Sequence, residues 1–275
     1  MTIKEILVHV EPGAVGERRL GYALSMAKAF GAKVTGVSVV LSPTATAFAM
    51  VGDAQIYAAA AEASEESCSA ARTLFANATA GSSLPTEWRE GTGIPVEVIA
   101  AEAGRADLAI LGRDDRSDPD GAFYALPPAD VMLACGRPVL VLPSQSPTAF
   151  SAKRILLAWK STAQAARAAH DALPLLTQAE EVILTEIVAK QTATKYEIAI
   201  ETMADHLRAH GVTVTVRKFA QAGDAGELLI RIAGESACDL IVAGAYGHNR
   251  VREWVLGGVT YSLLNASPIP CLLSH

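Results

Sequence analysis

The chain repeats itself, and that repetition constrains its fold more than any other feature. Ala106-Asp107-Leu108-Ala109-Ile110-Leu111-Gly112 returns as Cys238-Asp239-Leu240-Ile241-Val242-Ala243-Gly244, and Pro138-Val139-Leu140-Val141-Leu142 returns as Pro270-Cys271-Leu272-Leu273-Ser274. Both pairs share an offset of 132 residues (106 against 238, 138 against 270). Ile6-Leu7-Val8-His9-Val10-Glu11 matches Ile155-Leu156-Leu157-Ala158-Trp159-Lys160 at an offset of 149, so the first copy carries 149 − 132 = 17 extra residues, around LSPTATAFAMVGDAQIYAAAAEASEES. A duplicated domain follows, with copies over 1–146 and 152–275 joined by the Pro/Ser-rich PSQSPTAFSAK.

Within each copy, short β-rich runs alternate with helical patterns. In the second, strands are expected near 153–159, 181–188, 212–219, 238–244 and 270–274, and helices near 162–176, 194–210, 224–236 and 257–266. Such alternation implies right-handed crossovers and an open, doubly wound parallel sheet, so the fold class is α/β with five strands per copy. The composition agrees: 51% of residues are apolar and only 5% aromatic, as suits aliphatic strands beneath alanine-rich helices. The net charge of −6 leaves no overall basic footprint for nucleic acid. Cys68, Cys135, Cys238 and Cys271 lie far apart in apolar contexts and read as buried free thiols. MTIKEILVHVEPG does not read as a secretory leader, and no apolar run approaches the ~20 residues needed to span a membrane. The expected compartment is the cytoplasm.

In open α/β sheets, ligands bind beyond the carboxyl ends of the strands where the winding reverses. GAYGHNRVREWVLGGVT, Gly244 to Thr260, occupies such a place. Gly244 and Gly247 permit close backbone approach, and Gly257-Gly258 opens a helix whose free N–H groups attract anions. Thr260 adds a hydroxyl, while His248, Arg250 and Arg252 add positive charge. The competing reading is that the glycines only make the turn. The first copy is an internal control: Gly112 answers Gly244, but Asp115, Ala125, Leu126 and Pro128 stand at the counterparts of Gly247, Gly257, Gly258 and Thr260. Its acidic loop, GRDDRSDPDGAF, repels phosphate and lacks metal-loop spacing, and Pro127-Pro128 offers no N–H donors. The first copy is therefore expected to have lost an anion site that the second retains. Lys160 ends the second copy's first strand and either pairs with a phosphate or stays exposed; Glu11 is its counterpart. Ser161 and Thr162 read as helix N-caps, and Trp159 and His9 as packing residues.

The duplicated β-α-β pattern, the strand DLIVAG, the glycine loop and the closing SPIPCLL together resemble the universal stress protein family in its tandem form. The resemblance implies an adenine nucleotide alpha hydrolase-like fold with strand order 3-2-1-4-5, ATP or AMP binding in some members, and dimer-like pairing through the last strand. For this chain it implies a pseudo-dimer through 138–142 and 270–274, with homodimers and protein partners left open. Gly244, Gly247 and Gly257 match the family's Gly-x2-Gly-x9-Gly spacing. Gly258 replaces an expected hydroxyl, and Thr260 matches a second one. The family aspartate after strand one is Glu11 in one copy and Lys160 in the other. The expected function is a stress-response ligand-sensing module with a phosphate or nucleotide site in the second copy. The alternatives are a stress-linked interaction protein without nucleotide, or a weak nucleotide hydrolase, although no catalytic set or metal motif is visible.

Overall fold

Among the described residues each copy folds into five parallel strands covered by helices. The computed structural model describes residues 2–41, 54–113, 126–188, 199–246 and 258–275. Two units separate, residues 2–150 and 151–275.

In the first unit β1 (Glu5–His9), β2 (Lys33–Leu41), β3 (Thr86–Gly93), β4 (Leu108–Gly112) and β5 (Val139–Leu142) alternate with α1 (Ala14–Phe30), α2 (Ala54–Thr79), α3 (Pro95–Ala103) and α4 (Pro128–Cys135). In the second, β6 (Arg154–Trp159), β7 (Glu181–Val188), β8 (Val214–Ala220), β9 (Leu240–Gly244) and β10 (Cys271–Ser274) alternate with α5 (Ala163–Asp171), α6 (Leu173–Leu176), α7 (Ile200–Ala209), α8 (Ala225–Glu235) and α9 (Gly258–Ala266). The strands run β3-β2-β1-β4-β5 and β8-β7-β6-β9-β10, the expected 3-2-1-4-5 order twice. The winding therefore reverses between β1 and β4, and again between β6 and β9.

The central strands read as unbroken aliphatic runs because both faces are covered. Ile6, Leu7, Val8, Ile155, Leu156, Leu157, Leu240, Ile241 and Val242 have no exposed surface. All four cysteines are buried and free. The longer first copy shows its surplus partly in α2, 26 residues long where its counterpart α7 has 10.

The repeated aspartate has a structural duty in both units. Asp107 Oδ2 accepts from the backbone N–H of Lys4 at 2.7 Å and of Glu5 at 3.0 Å. Asp239 does the same for Lys153 and Arg154, both at 3.0 Å. A carboxylate thus collects the N–H groups where each copy's first strand begins, which holds β1 against β4 and β6 against β9.

Candidate functional site

Beyond β6 and β9, the second unit gathers three helix starts. Thr162 caps α5 as expected, accepting from Ala165 N–H at 3.3 Å. Asp224 caps α8, accepting from Glu227 N–H at 2.9 Å. α9 begins at Gly258. Its first turn is tied to the end of β9, because Thr260 Oγ1 accepts from Tyr246 N–H at 3.3 Å. Thr260 is buried, and Tyr246 has φ 58°, unusual for a residue with a Cβ. The hydroxyl hydrogen of Thr260 remains available to donate.

Gly244 is needed for space. A Cβ there would lie 2.5 Å from Ala165 N and from Gln164 C, both backbone atoms of α5's first turn. This glycine lets a helix start press against a strand end, the close approach expected at a ligand-binding edge. Lys160 is exposed one residue beyond β6, where its carbonyl accepts from Thr162 N–H at 2.7 Å. β6 and β9 are parallel neighbours, so Lys160 and Gly244 leave the same edge. Gly247, His248 and Gly257 lie outside the described residues. Trp159 is buried, in line with packing.

Sequence reasoning missed Asp224. Its Oδ1 also accepts from Ser262 Oγ in α9 at 2.8 Å, and a Cβ on Gly258 would meet its Oδ2 at 3.0 Å. A carboxylate therefore stands at the helix start where a phosphate was expected. The Glu227 N–H and the Ser262 hydroxyl hold it below the usual aspartate range, and therefore charged. Gly258, lacking a Cβ, leaves this carboxylate uncrowded. The signal was legible only in part: Asp-Ala-Gly-Glu at 224–227 reads as a helix N-cap, but nothing local says which other helix it will touch.

The corresponding edge of the first unit is built otherwise. Arg19 in α1 is buried, with its Nη2 donating to Glu11 Oε1 at 2.6 Å and its Nη1 donating to the His9 carbonyl at 3.1 Å. The guanidinium lies against Gly112, where any Cβ would collide with it. It thus fills the space between the ends of β1 and β4. Burial pushes the Glu11 carboxyl up, but the Arg19 cation and its hydrogen bond, with His9, pull it lower still. Burial lowers His9 to about 4, against a smaller upward pull from Glu11, so its imidazole is neutral. At the offset of 149, Arg19, Glu11 and His9 correspond to Ala168, Lys160 and Ala158. The start of α4 in this unit is Pro127 and Pro128, which carry no N–H groups. Arg19 was also missed, although an arginine on the stripe Gly16, Leu20, Ala23 and Ala27 was a signal in plain view.

Among the described residues no helix is long and apolar enough to cross a membrane, and no group of three or more His, Cys, Asp or Glu converges on a metal position.

Strand order, paired helix starts and the edge beyond the carboxyl ends define a duplicated open α/β protein of the kind that binds ligands at its switch points. The family model for the universal stress protein family matches residues 2–143 and again 151–275, and the chain belongs to that family. A universal stress protein from Archaeoglobus fulgidus shares the fold over 99% of this chain and 96% of its own, at 16% identity and a TM-score of 0.74. A functionally unknown protein from Pseudomonas aeruginosa shares it over 99% and 92%, at 16% identity and a TM-score of 0.61. The universal stress protein Slr1230 of Synechocystis is 40% identical over 50 residues, which span 18% of this chain and only 17% of that relative.

Proposed function

We propose that the chain is a stress-response ligand-binding module whose second half takes one small phosphorylated molecule and whose first half takes none. ATP and AMP are the leading candidates. The observation that carries this reading is the exchange at the two switch points. In the first half Arg19 and Glu11 neutralise each other and fill the edge. In the second half the same positions are Ala168 and Lys160, so the counterpart of the Arg19 guanidinium is a methyl group and a cation replaces the acid. An ammonium suits a phosphate and cannot accept from ribose hydroxyls, so the ligand is held by its phosphate end. Thr260 and the N–H groups opening α9 supply further donors.

Calorimetric titration with ATP, AMP and inorganic phosphate tests the reading. One equivalent per chain is expected, weakened at least tenfold by Lys160→Glu. Two equivalents, none at millimolar ligand, or indifference to Lys160→Glu would overturn it.

A second reading, an interaction protein without nucleotide, is favoured by Asp224, whose charge opposes an anion at Gly258. Failure of both the parent and Asp224→Asn to bind any phosphorylated probe would favour it. A cytoplasmic location and pairing of two chains remain part of the proposal, tested by fractionation and by light scattering.

A further inference from the structure

α7 lays Ile200, Ala204 and Leu207 against the sheet, the i, i+4, i+7 stripe that a surface helix buries. His206 and His210 lie beside that stripe and are both exposed. They are one turn apart on the same face, and their ring centroids are 4.8 Å apart at 69°. Among the described residues neither ring takes part in any hydrogen bond or ion pair; the aromatic contact each ring makes is with the other.

The separation suits a shared ion. An imidazole nitrogen binds a first-row divalent ion at about 2.0–2.1 Å, which puts the ring centroid about 3.2 Å from the metal. Two such rings at adjacent coordination positions, with N–metal–N angles from square to tetrahedral, have centroids about 4.5–5.2 Å apart. The observed centroid separation falls inside that interval.

The local charges also favour a cation. His210 caps the C-terminus of α7, where the exposed carbonyls carry the negative end of the helix dipole. Arg208, the nearest positive side chain in sequence, is engaged elsewhere: its Nη1 donates to Asp205 Oδ1 at 2.9 Å and its Nη2 to the Val214 carbonyl at 3.4 Å. Lys218 is paired with Glu201 at 2.7 Å, at the far end of the helix.

We propose that His206 and His210 form a two-imidazole chelate for a borderline first-row divalent ion, Cu²⁺ above Ni²⁺ and Zn²⁺. Water completes the coordination. Among the described residues no thiolate or carboxylate joins the pair to make a three-donor group, and two imidazole donors select for this class over Mg²⁺ or Ca²⁺, with Cu²⁺ leading the affinity order. The bound ion links two turns of α7, the helix that leads into the edge strand β8. This site is independent of the phosphate site proposed above.

The test uses the full chain without a histidine tag. Cu²⁺ is titrated calorimetrically into the parent, His206→Gln, His210→Gln and the double variant, and each complex is examined by electron paramagnetic resonance. Circular dichroism confirms that the variants fold; both side chains are exposed, so the exchange leaves the core intact. One tight equivalent with a two-nitrogen signature is expected, weakened at least fivefold by each single exchange and lost in the double variant. Retention of that equivalent in the double variant, or less than a fivefold change in either single variant, would place the metal on other donors and overturn the proposal.

Discussion

Arg19 Nη2 meets Glu11 Oε1 at 2.6 Å, and the pair closes from within the edge where β1 and β4 part. The guanidinium is 3% exposed and the carboxylate 35%, so solvent screens only one partner. Removing that partner strands a buried cation, which costs more than the pair itself contributes. Glu11→Gln is expected to destabilise the chain by about 1–3 kcal/mol, discounted for the exposure of Glu11. Arg19→Met in the same background should restore much of that loss. Urea unfolding of the two single variants and the double decides; additive losses would show that the residues do not act as a pair.

His9 beside this pair predicts an acid sensitivity. An unfolded histidine takes up its proton near 6.5, whereas the folded one does so only near 4. Between these values the unfolded chain binds more protons, so stability falls as pH drops through the window. The slope from this residue is at most about 1.4 kcal/mol per pH unit. Glu11, held below 4.5, contributes stability above that pH and loses it only as pH falls through its lower folded value. Comparing pH 6.5 with pH 5 in the parent and in His9→Gln therefore separates His9 from the carboxylates, which contribute alike to both. The parent should lose more stability over that step than His9→Gln, and equal losses would remove His9 from the explanation.

Gly244 and Gly112 occupy matching places but differ in what surrounds them. Alanine at 244 would drive its Cβ into backbone atoms of Gln164 and Ala165, which cannot turn aside. Alanine at 112 would meet the side chain of Arg19, which can. Both substitutions should destabilise, with Gly244→Ala costing about 1–3 kcal/mol and the more of the two. Thermal unfolding of the two variants side by side reads the difference.

Thr260 and Tyr246 predict a hydroxyl dependence. Thr260→Val keeps the shape but leaves the Tyr246 N–H without its acceptor, at a cost of about 1–3 kcal/mol. Thr260→Ser should retain most of the stability, which a role in volume alone would not allow.

Asp224 predicts a gain. Asp224→Asn keeps an oxygen for the α8 cap but removes the charge beside Gly258. Affinity for phosphate-bearing ligands should rise several-fold with little change in melting temperature. A fall in affinity would mean that the carboxylate itself takes part in binding.

The architecture was legible along the chain. An offset shared by two motif pairs, aliphatic runs of strand length and alternating helical patterns point to a duplicated parallel sheet, and the 3-2-1-4-5 order that the family resemblance implies appears in both halves. The Thr162 cap was legible because it depends on residues only a few positions away, and Gly244 was marked by the repeat, although the close approach of Gln164 and Ala165 that requires it was not. How the two edges are furnished became visible only once distant elements were packed together. Arg19 could be seen on an apolar stripe, but that its guanidinium reaches Glu11 and lies against Gly112 depends on where α1 crosses the ends of β1 and β4. Asp224 was missed, and its effect on Gly258 arises because the starts of α8 and α9 meet through Ser262. Periodicity and capping are short-range along the chain. Electrostatic and steric neighbours at a sheet's edge are brought together by packing, and a local pattern does not encode them.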